Sequence, residues 1–117
     1  MTLGAHLRAL REAKRKKDKS FSLRQVAKRV GVEPGYLSRI ENDKFEGRPS
    51  EALLVALAKE LGEHPDVLLA MAGRVSERLK AIIRKRPRLF AEVIEYLAEQ
   101  PDHAVLRVVR EVRDGDW

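Results

Sequence analysis

The side chains that most often carry out covalent or metal chemistry are few and scattered in this sequence of 117 residues. There is no cysteine, and the three histidines (His6, His64 and His103) lie far apart, without a second metal ligand at helical or zinc-site spacing. No glycine-rich phosphate loop or nucleophile elbow is present. The carboxylates alternate with lysine and arginine, as on a salt-bridged helix surface. We therefore expect no enzyme activity, no metal site and no cofactor.

Positive charge is the second chemical resource of the chain. Its 24 Lys and Arg residues against 18 Asp and Glu residues give a net charge of +6 and a pI of about 9.9. Such a chain attracts polyanions, with nucleic acid the first candidate, although solubility alone is the alternative explanation. No apolar run approaches the roughly 18 residues of a membrane span, and the N-terminal residues lack a signal-peptide pattern. We expect a cytoplasmic protein without a membrane partner.

Helix signals dominate the sequence, with serine or proline at helix starts and glycine at helix ends. The expected helices cover residues 2–17, 22–30, 34–42, 50–62 and 65–72, followed by three segments that begin near Val75, Pro87 and Pro101. Ser22 and Gln25 form a capping box, in which the serine hydroxyl accepts from the Gln25 amide and the Gln25 side chain reaches back. The last segment is rich in β-branched valine, so a strand there is the alternative.

One helical pattern is interrupted and then resumes, in the stretch QVAKRVGVEPGYLSRIEN of residues 25–42. Two short helices joined at a sharp angle form a helix-turn-helix. Ala27 is expected where the two helices cross, because a larger side chain would push them apart. Gly31 falls at the turn, where a positive φ is easiest for glycine. Gly35 removes a side chain from the start of the second helix, which allows a close backbone approach there.

The segment VAKRVGVEPGYLSRIEN, together with PSEALLVALAKELG at residues 49–62, resembles the Cro/phage-repressor type of helix-turn-helix regulator, also called the XRE family. The resemblance covers Leu3 to about Gly73. It implies an all-α fold, with a five-helix DNA-binding domain over residues 1–73. Residues 74–117 lie outside the resemblance, and we expect them to form a small helical extension.

The resemblance also implies a mode of binding to double-stranded DNA, with residues 34–42 as the recognition helix in the major groove. The base-facing positions would be Glu33, Pro34, Gly35, Tyr36, Ser38 and Arg39. Arg39 is the strongest candidate, because arginine bonds guanine O6 and N7 in a bidentate manner. Glu33 either accepts from a cytosine amino group or acts as an N-cap. Serine at position 33 and a longer polar residue at position 35 are commoner in the family. Shape readout or van der Waals contact to thymine methyl groups is therefore expected to supplement direct contacts.

Phosphate contacts are expected on both sides of the recognition helix. Ser22 and Arg24 lie at the N-terminus of the preceding helix, where free amides and the helix dipole favour anions. Lys44 and Arg48 lie in the following loop, for which a solvated loop is the alternative. The resemblance further implies a partly buried ion pair between Arg11 and Glu41, with a structural role.

The extension carries more apolar surface than three short helices can bury among themselves, and such surface normally marks an interface. We expect a homodimer held by residues 74–117, acting as a repressor on a palindromic operator. The alternative is an antitoxin that binds a toxin protein through this region and represses its own operon. A small-molecule sensor is disfavoured, because the region leaves little room for a pocket of typical size. The basic stretch RKRPR (residues 84–88) is either a solvated helix junction or a contact to DNA that flanks the operator. Trp117 either docks on an apolar surface or belongs to a frayed chain end.

Overall fold

The computed structural model describes every residue from Met1 to Trp117 and is entirely helical. Its helices are α1 (Leu3–Arg15), a short 3-10 helix (Lys19–Phe21), α2 (Leu23–Val30), α3 (Pro34–Glu41), α4 (Glu51–Leu61), α5 (Pro65–Met71), α6 (Glu77–Lys85), α7 (Pro87–Ala98) and α8 (Asp102–Asp114). The expected all-α fold is confirmed. The chain divides into two compact units, residues 1–76 and residues 77–117. None of the helices is both long enough and apolar enough to cross a bilayer.

Local capping chemistry sets most of the helix ends. The Ser22 hydroxyl accepts from the Gln25 amide at 3.3 Å, and the Ser50 hydroxyl accepts from the Leu53 amide at 3.1 Å. Glycines in the left-handed conformation end α2 and α4, with φ of 78° at Gly31 and 73° at Gly62. Each of these signals acts within a few residues, so the predicted helices agree closely with the observed ones.

One sequence-based expectation about these helices is wrong. The Gln25 side chain does not complete the capping box, because the Ser22 amide already donates to the Lys19 carbonyl oxygen at 3.2 Å in the 3-10 helix. The valine-rich segment is helix α8, as expected, and not the alternative strand. Its valines recur with helical spacing and form one face, which outweighs their β propensity (Val105, Val108, Val109 and Val112).

The hydrophobic core lies in the first unit and joins helices α1 to α5. Fully buried side chains come from every one of them, among them Leu7, Val26, Ala27, Leu37, Ile40, Leu54, Leu57, Leu68 and Leu69. Burying a leucine or isoleucine side chain stabilises a fold by about 1.5–3 kcal/mol. Ala27 on α2 and Leu37 on α3 share this core, which holds the two helices of the helix-turn-helix in one arrangement.

The second unit has no buried residue in any of its three helices. Helices α7 and α8 border an open groove of about 340 Å³, lined by Leu89, Glu92, Val93, Tyr96, Leu97 and Val108. Val93 is 48 % exposed and Tyr96 is 74 % exposed. The Trp117 indole N–H donates to the Val112 carbonyl oxygen at 3.1 Å, and its ring stays exposed to solvent. This unit therefore presents a large apolar surface.

Candidate nucleic-acid interface

The turn between α2 and α3 is a Schellman motif. The Gly31 amide donates to the Lys28 carbonyl at 3.3 Å, and the Val32 amide donates to the Ala27 carbonyl at 3.0 Å. The motif needs a left-handed residue at its centre, which Gly31 supplies with its φ of 78°. Val32 packs against the core directly after the turn. Three residues thus connect α2 to α3 in a tight turn.

Helix α3 begins at Pro34 without a side-chain cap. Glu33 occupies the N-cap position in an extended conformation, but its side chain makes no capping hydrogen bond. A capping role for the Glu33 carboxylate is therefore wrong. Proline at the first helical position has no amide hydrogen to satisfy. The carboxylate of Glu33 remains exposed beside the start of the helix.

The two faces of α3 differ sharply in burial. Leu37, Ile40 and Glu41 are buried against the rest of the unit. None of the six predicted base-facing positions is buried: Glu33, Gly35 and Arg39 are exposed, and Pro34, Tyr36 and Ser38 are half-buried. Tyr36 also packs against the core.

Arginine, lysine and two aromatic rings meet beside the end of α3. An open cleft of about 380 Å³ is lined by Tyr36, Arg39, Lys44, Phe45 and Glu46. The Arg39 guanidinium carbon lies 5.7 Å from the centre of the Tyr36 ring. The Lys44 amide donates to the Arg39 carbonyl at 2.8 Å, which holds the loop against the helix end. The geometry therefore places Lys44 next to Arg39 and offers two cations to an anionic ligand.

The other predicted phosphate contacts have different surroundings. Ser22 is half-buried and its hydroxyl is engaged as the α2 cap, while Arg24 is exposed in the first turn. Arg48 does not project freely from its loop, because its Nη1 donates to the Gly73 carbonyl oxygen at 2.7 Å. The guanidinium of Arg48 is thereby tied to the residues that follow α5.

A buried ion pair joins α1 to the end of α3. Arg11 Nε donates to Glu41 Oε2 at 2.7 Å and Arg11 Nη2 donates to Glu41 Oε1 at 2.9 Å, a bidentate arrangement. The two residues are only 5 % and 4 % exposed. The hydrogen bond to Glu41 raises the pKa of Arg11 above its ordinary value, and this outweighs the opposing effect of burial. The pair fixes α3 on the side opposite its exposed face.

Sequence reasoning missed the contacts that close the turn after α3. Asp43 has a φ of 56°, and its carboxylate accepts from the Thr2 hydroxyl at 2.6 Å and the Gly4 amide at 3.0 Å. A side chain at Gly4 would meet the Glu41 carbonyl oxygen at 2.7 Å, so α1 and α3 approach closely there. Asparagine and aspartate tolerate the left-handed conformation, so the Asn-Asp pair at residues 42–43 was the available signal for the turn.

Comparison with known proteins agrees with this architecture. The helix-turn-helix family model matches residues 7–68. The crystal structure of the clp gene regulator ClgR from Corynebacterium glutamicum is similar, with 31 % sequence identity and a TM-score of 0.47. The similarity covers 84 % of this chain and 92 % of that one. No curated protein matches the sequence. Because the family match spans more than half of the chain, the chain belongs to the XRE-type helix-turn-helix family of DNA-binding transcriptional regulators.

Proposed function

We propose that the protein is a homodimeric repressor that reads a palindromic operator with the exposed face of α3. The observation that carries the proposal is the contrast between the two sides of this helix. Its inner side is fixed by the core and by the buried pair of Arg11 and Glu41. Its outer side leaves Arg39 exposed, with Lys44 beside it. A rigid helix with a free arginine suits readout of base edges in the major groove.

Phosphate contacts on both sides of α3 would set the register of the helix on the duplex. On one side is the N-terminus of α2, with the exposed Arg24 in its first turn. On the other side is the loop with the exposed Lys44. We assign Ser22 and Arg48 a smaller share, because the Ser22 hydroxyl caps α2 and Arg48 bonds the Gly73 carbonyl. The net charge of +6 also favours association of the protein with DNA, independently of the DNA sequence.

The second unit supports dimerisation, because it exposes the apolar faces of all three helices. Ile82, Leu89, Val93, Ile94, Tyr96, Leu106, Val109 and Val112 are all exposed. Extensive exposed apolar surface normally marks an interaction site. One recognition helix covers only a few base pairs, and two copies related by a two-fold axis read two half-sites one helical turn apart.

The charge distribution of the second unit favours a second copy of the chain over an unrelated protein. Residues 78–88 carry six lysines and arginines and no carboxylate, whereas residues 89–106 carry four carboxylates and no lysine or arginine. In a two-fold interface every contact occurs twice, with the partners exchanged. The basic segment of each copy can therefore meet the acidic segment of the other, around the apolar groove of α7 and α8.

Repression is the direction of control that we assign, since it is the usual mode implied by the family resemblance. ClgR is described as a gene regulator, which is consistent with transcriptional control. A helix-turn-helix protein that occupies a promoter represses transcription most simply by blocking access to it. Transcription from the operator in vitro should fall as the protein is added, and a rise would overturn this assignment.

The dimer is tested by one substitution in the groove and a matched one outside it. Val93→Asp places a carboxylate in the groove of α7 and α8, whereas Val55→Asp changes a similarly exposed valine on α4. By sedimentation, Val93→Asp should be monomeric and Val55→Asp dimeric. Val93→Asp should also bind a full operator more weakly, because its two half-sites are no longer linked.

The same experiment separates the homodimer from the antitoxin alternative. If Val93→Asp stays dimeric and keeps its affinity for the full operator, the interface lies elsewhere. If the unsubstituted protein is itself monomeric at micromolar concentration, a different protein must cover the apolar surface of the second unit. Binding of a toxin protein through residues 74–117 would then become the leading function.

A further inference from the structure

Gly35 is the one glycine of the first unit that the backbone does not explain. Four others have a positive φ, between 68° and 78° (Gly31, Gly47, Gly62 and Gly73). Gly4 lies where a side chain would collide with α3. Gly35 is inside a helix with a negative φ, where glycine is less favourable than alanine. A Cβ at this position would meet only Arg39 Nη1, at 3.9 Å.

The position of that guanidinium follows from helix geometry. Residues four apart lie on the same face, and side chains lean toward the N-terminus of their helix. The Arg39 side chain therefore runs back over Gly35 toward the start of α3. The space above Gly35 is where a longer side chain would lie. A large residue at this position would compete with the Arg39 guanidinium for that space.

Tyr36 supplies the second constraint on Arg39. Its side chain is half-buried and packs against the core, so the ring has a fixed position. The Arg39 guanidinium carbon is 5.7 Å from the ring centre, within the range of a cation–π interaction. A guanidinium over a ring face keeps its N–H groups free at the edge, in the plane that bonds guanine.

We infer that Gly35 and Tyr36 are positioning residues that set base specificity through Arg39, with no need to touch a base themselves. Tyr36 holds the guanidinium and Gly35 leaves the space in which it lies. The arginine is thereby oriented before DNA binds, so that its fork meets O6 and N7 of one guanine in each half-site. This inference rests on the proposed function, and it assigns to these two residues a role other than direct base contact.

A double-mutant cycle tests the inference. Tyr36→Leu, Tyr36→Phe, Gly35→Leu and Gly35→Ala are each made in the full chain, alone and combined with Arg39→Ala. Preferred operators are first selected from random DNA, once with the unsubstituted protein and once with Arg39→Ala. The guanine that only the unsubstituted protein requires is the one assigned to Arg39. The affinity of every variant is then measured for the selected operator and for an operator in which this guanine is replaced. Melting temperature and circular dichroism report whether each variant is folded.

Substitutions of Tyr36 and Gly35 should change the preference for guanine only when Arg39 is present. Tyr36→Leu and Gly35→Leu should each lower the preference for guanine about threefold, which is about 0.7 kcal/mol at 1.4 kcal/mol per tenfold change. Tyr36→Phe keeps the ring and Gly35→Ala adds only a methyl group, so both should retain the preference. In the Arg39→Ala background, none of the four substitutions should change it further.

Two results would overturn the inference, and they are distinguishable. If Tyr36→Leu or Gly35→Leu has the same effect with and without Arg39, that position acts on DNA directly and does not position the arginine. If Arg39→Ala itself leaves the base preference unchanged, the assignment of Arg39 as the reading residue fails, and the positioning role fails with it.

Discussion

The buried pair of Arg11 and Glu41 should dominate the stability of the first unit, and Glu41→Gln tests this with little change of shape. The substitution removes the negative charge and turns one acceptor oxygen into an NH₂ group that faces the N–H donors of Arg11. The guanidinium then keeps the Phe21 carbonyl at 3.2 Å and the Glu12 carboxylate at 3.3 Å as partners. Its charge is otherwise uncompensated in a buried position.

The size of the effect follows from burial and the remaining partners. Breaking one side of a buried ion pair costs about 3–5 kcal/mol. Because Glu12 still offsets part of the Arg11 charge, we expect about 3 kcal/mol for Glu41→Gln. The total stability of a domain is about 5–15 kcal/mol, so this loss would be a large fraction of it. The double variant Arg11→Met/Glu41→Leu should recover much of the loss, because no buried charge is left unpaired.

Chemical denaturation, followed by circular dichroism and by amide hydrogen exchange in residues 1–76, measures these values. Arg107→Ala is the matched control, since it breaks an ion pair of similar length (2.9 Å) with partners that are 80 % and 61 % exposed. The control should change stability by less than about 1 kcal/mol. If Glu41→Gln costs no more than the control, the pair does not link α1 to α3 in the way described.

Other perturbations test the helix packing, the acid sensitivity and the DNA contacts of the same unit. Gly4→Ala should lower the free energy of unfolding by roughly 1–3 kcal/mol, since its methyl group overpacks the contact of α1 with α3; unchanged denaturation would refute this. The pKa of Glu63 lies below its ordinary 4.5, first because of the hydrogen bond with His6 and then because of the His64 amide. The ionised Glu63 carboxylate therefore stabilises the fold fully above pH 4.5, and this contribution is lost as the pH falls through the lower pKa of the folded state. The melting temperature of Glu63→Gln should consequently fall less steeply in acid than that of the unsubstituted protein. Parallel plots of melting temperature against pH for the two proteins would contradict the lowered pKa. Lys44→Ala should weaken binding to all DNA sequences about equally and reduce the salt slope by about one unit, whereas a loss confined to one base pair would show that Lys44 reads a base.

The fold could be predicted from sequence to the extent that its signals are local. Ser22, Ser50 and the helix-opening prolines act within one turn, and so do the left-handed glycines at helix ends. Those signals located the helices to within about two residues. The Gln25 half of the capping box failed, because it depended on whether the preceding residues form their own turn, which the pattern of residue types did not reveal.

The candidate site could be predicted less completely, because several of its contacts join distant parts of the chain. Arg48 was expected to face phosphate, yet a carbonyl 25 residues away binds it. No pattern near Arg48 encodes that partner. Likewise, Gly4 is required by the approach of α3, which no spacing within α1 indicates. The buried side of α3 was accessible to prediction, because Leu37 and Ile40 recur with the period of a single helix.

Because the Gly4 amide donates to the Asp43 carboxylate, the exchange of this amide hydrogen reports on the loop that contains Asp43. Gly4 is part of α1, whereas Asp43 directly precedes Lys44 in the loop that follows α3. Amides at the start of a helix have no carbonyl of their own helix to bond, so the Gly4 hydrogen is retained only while Asp43 accepts it. Its exchange with deuterium in solution would thus report the opening of the loop from a residue of α1 that is not itself a proposed DNA contact. Slower exchange on operator binding would measure how much the duplex immobilises that loop, with no label placed in the interface.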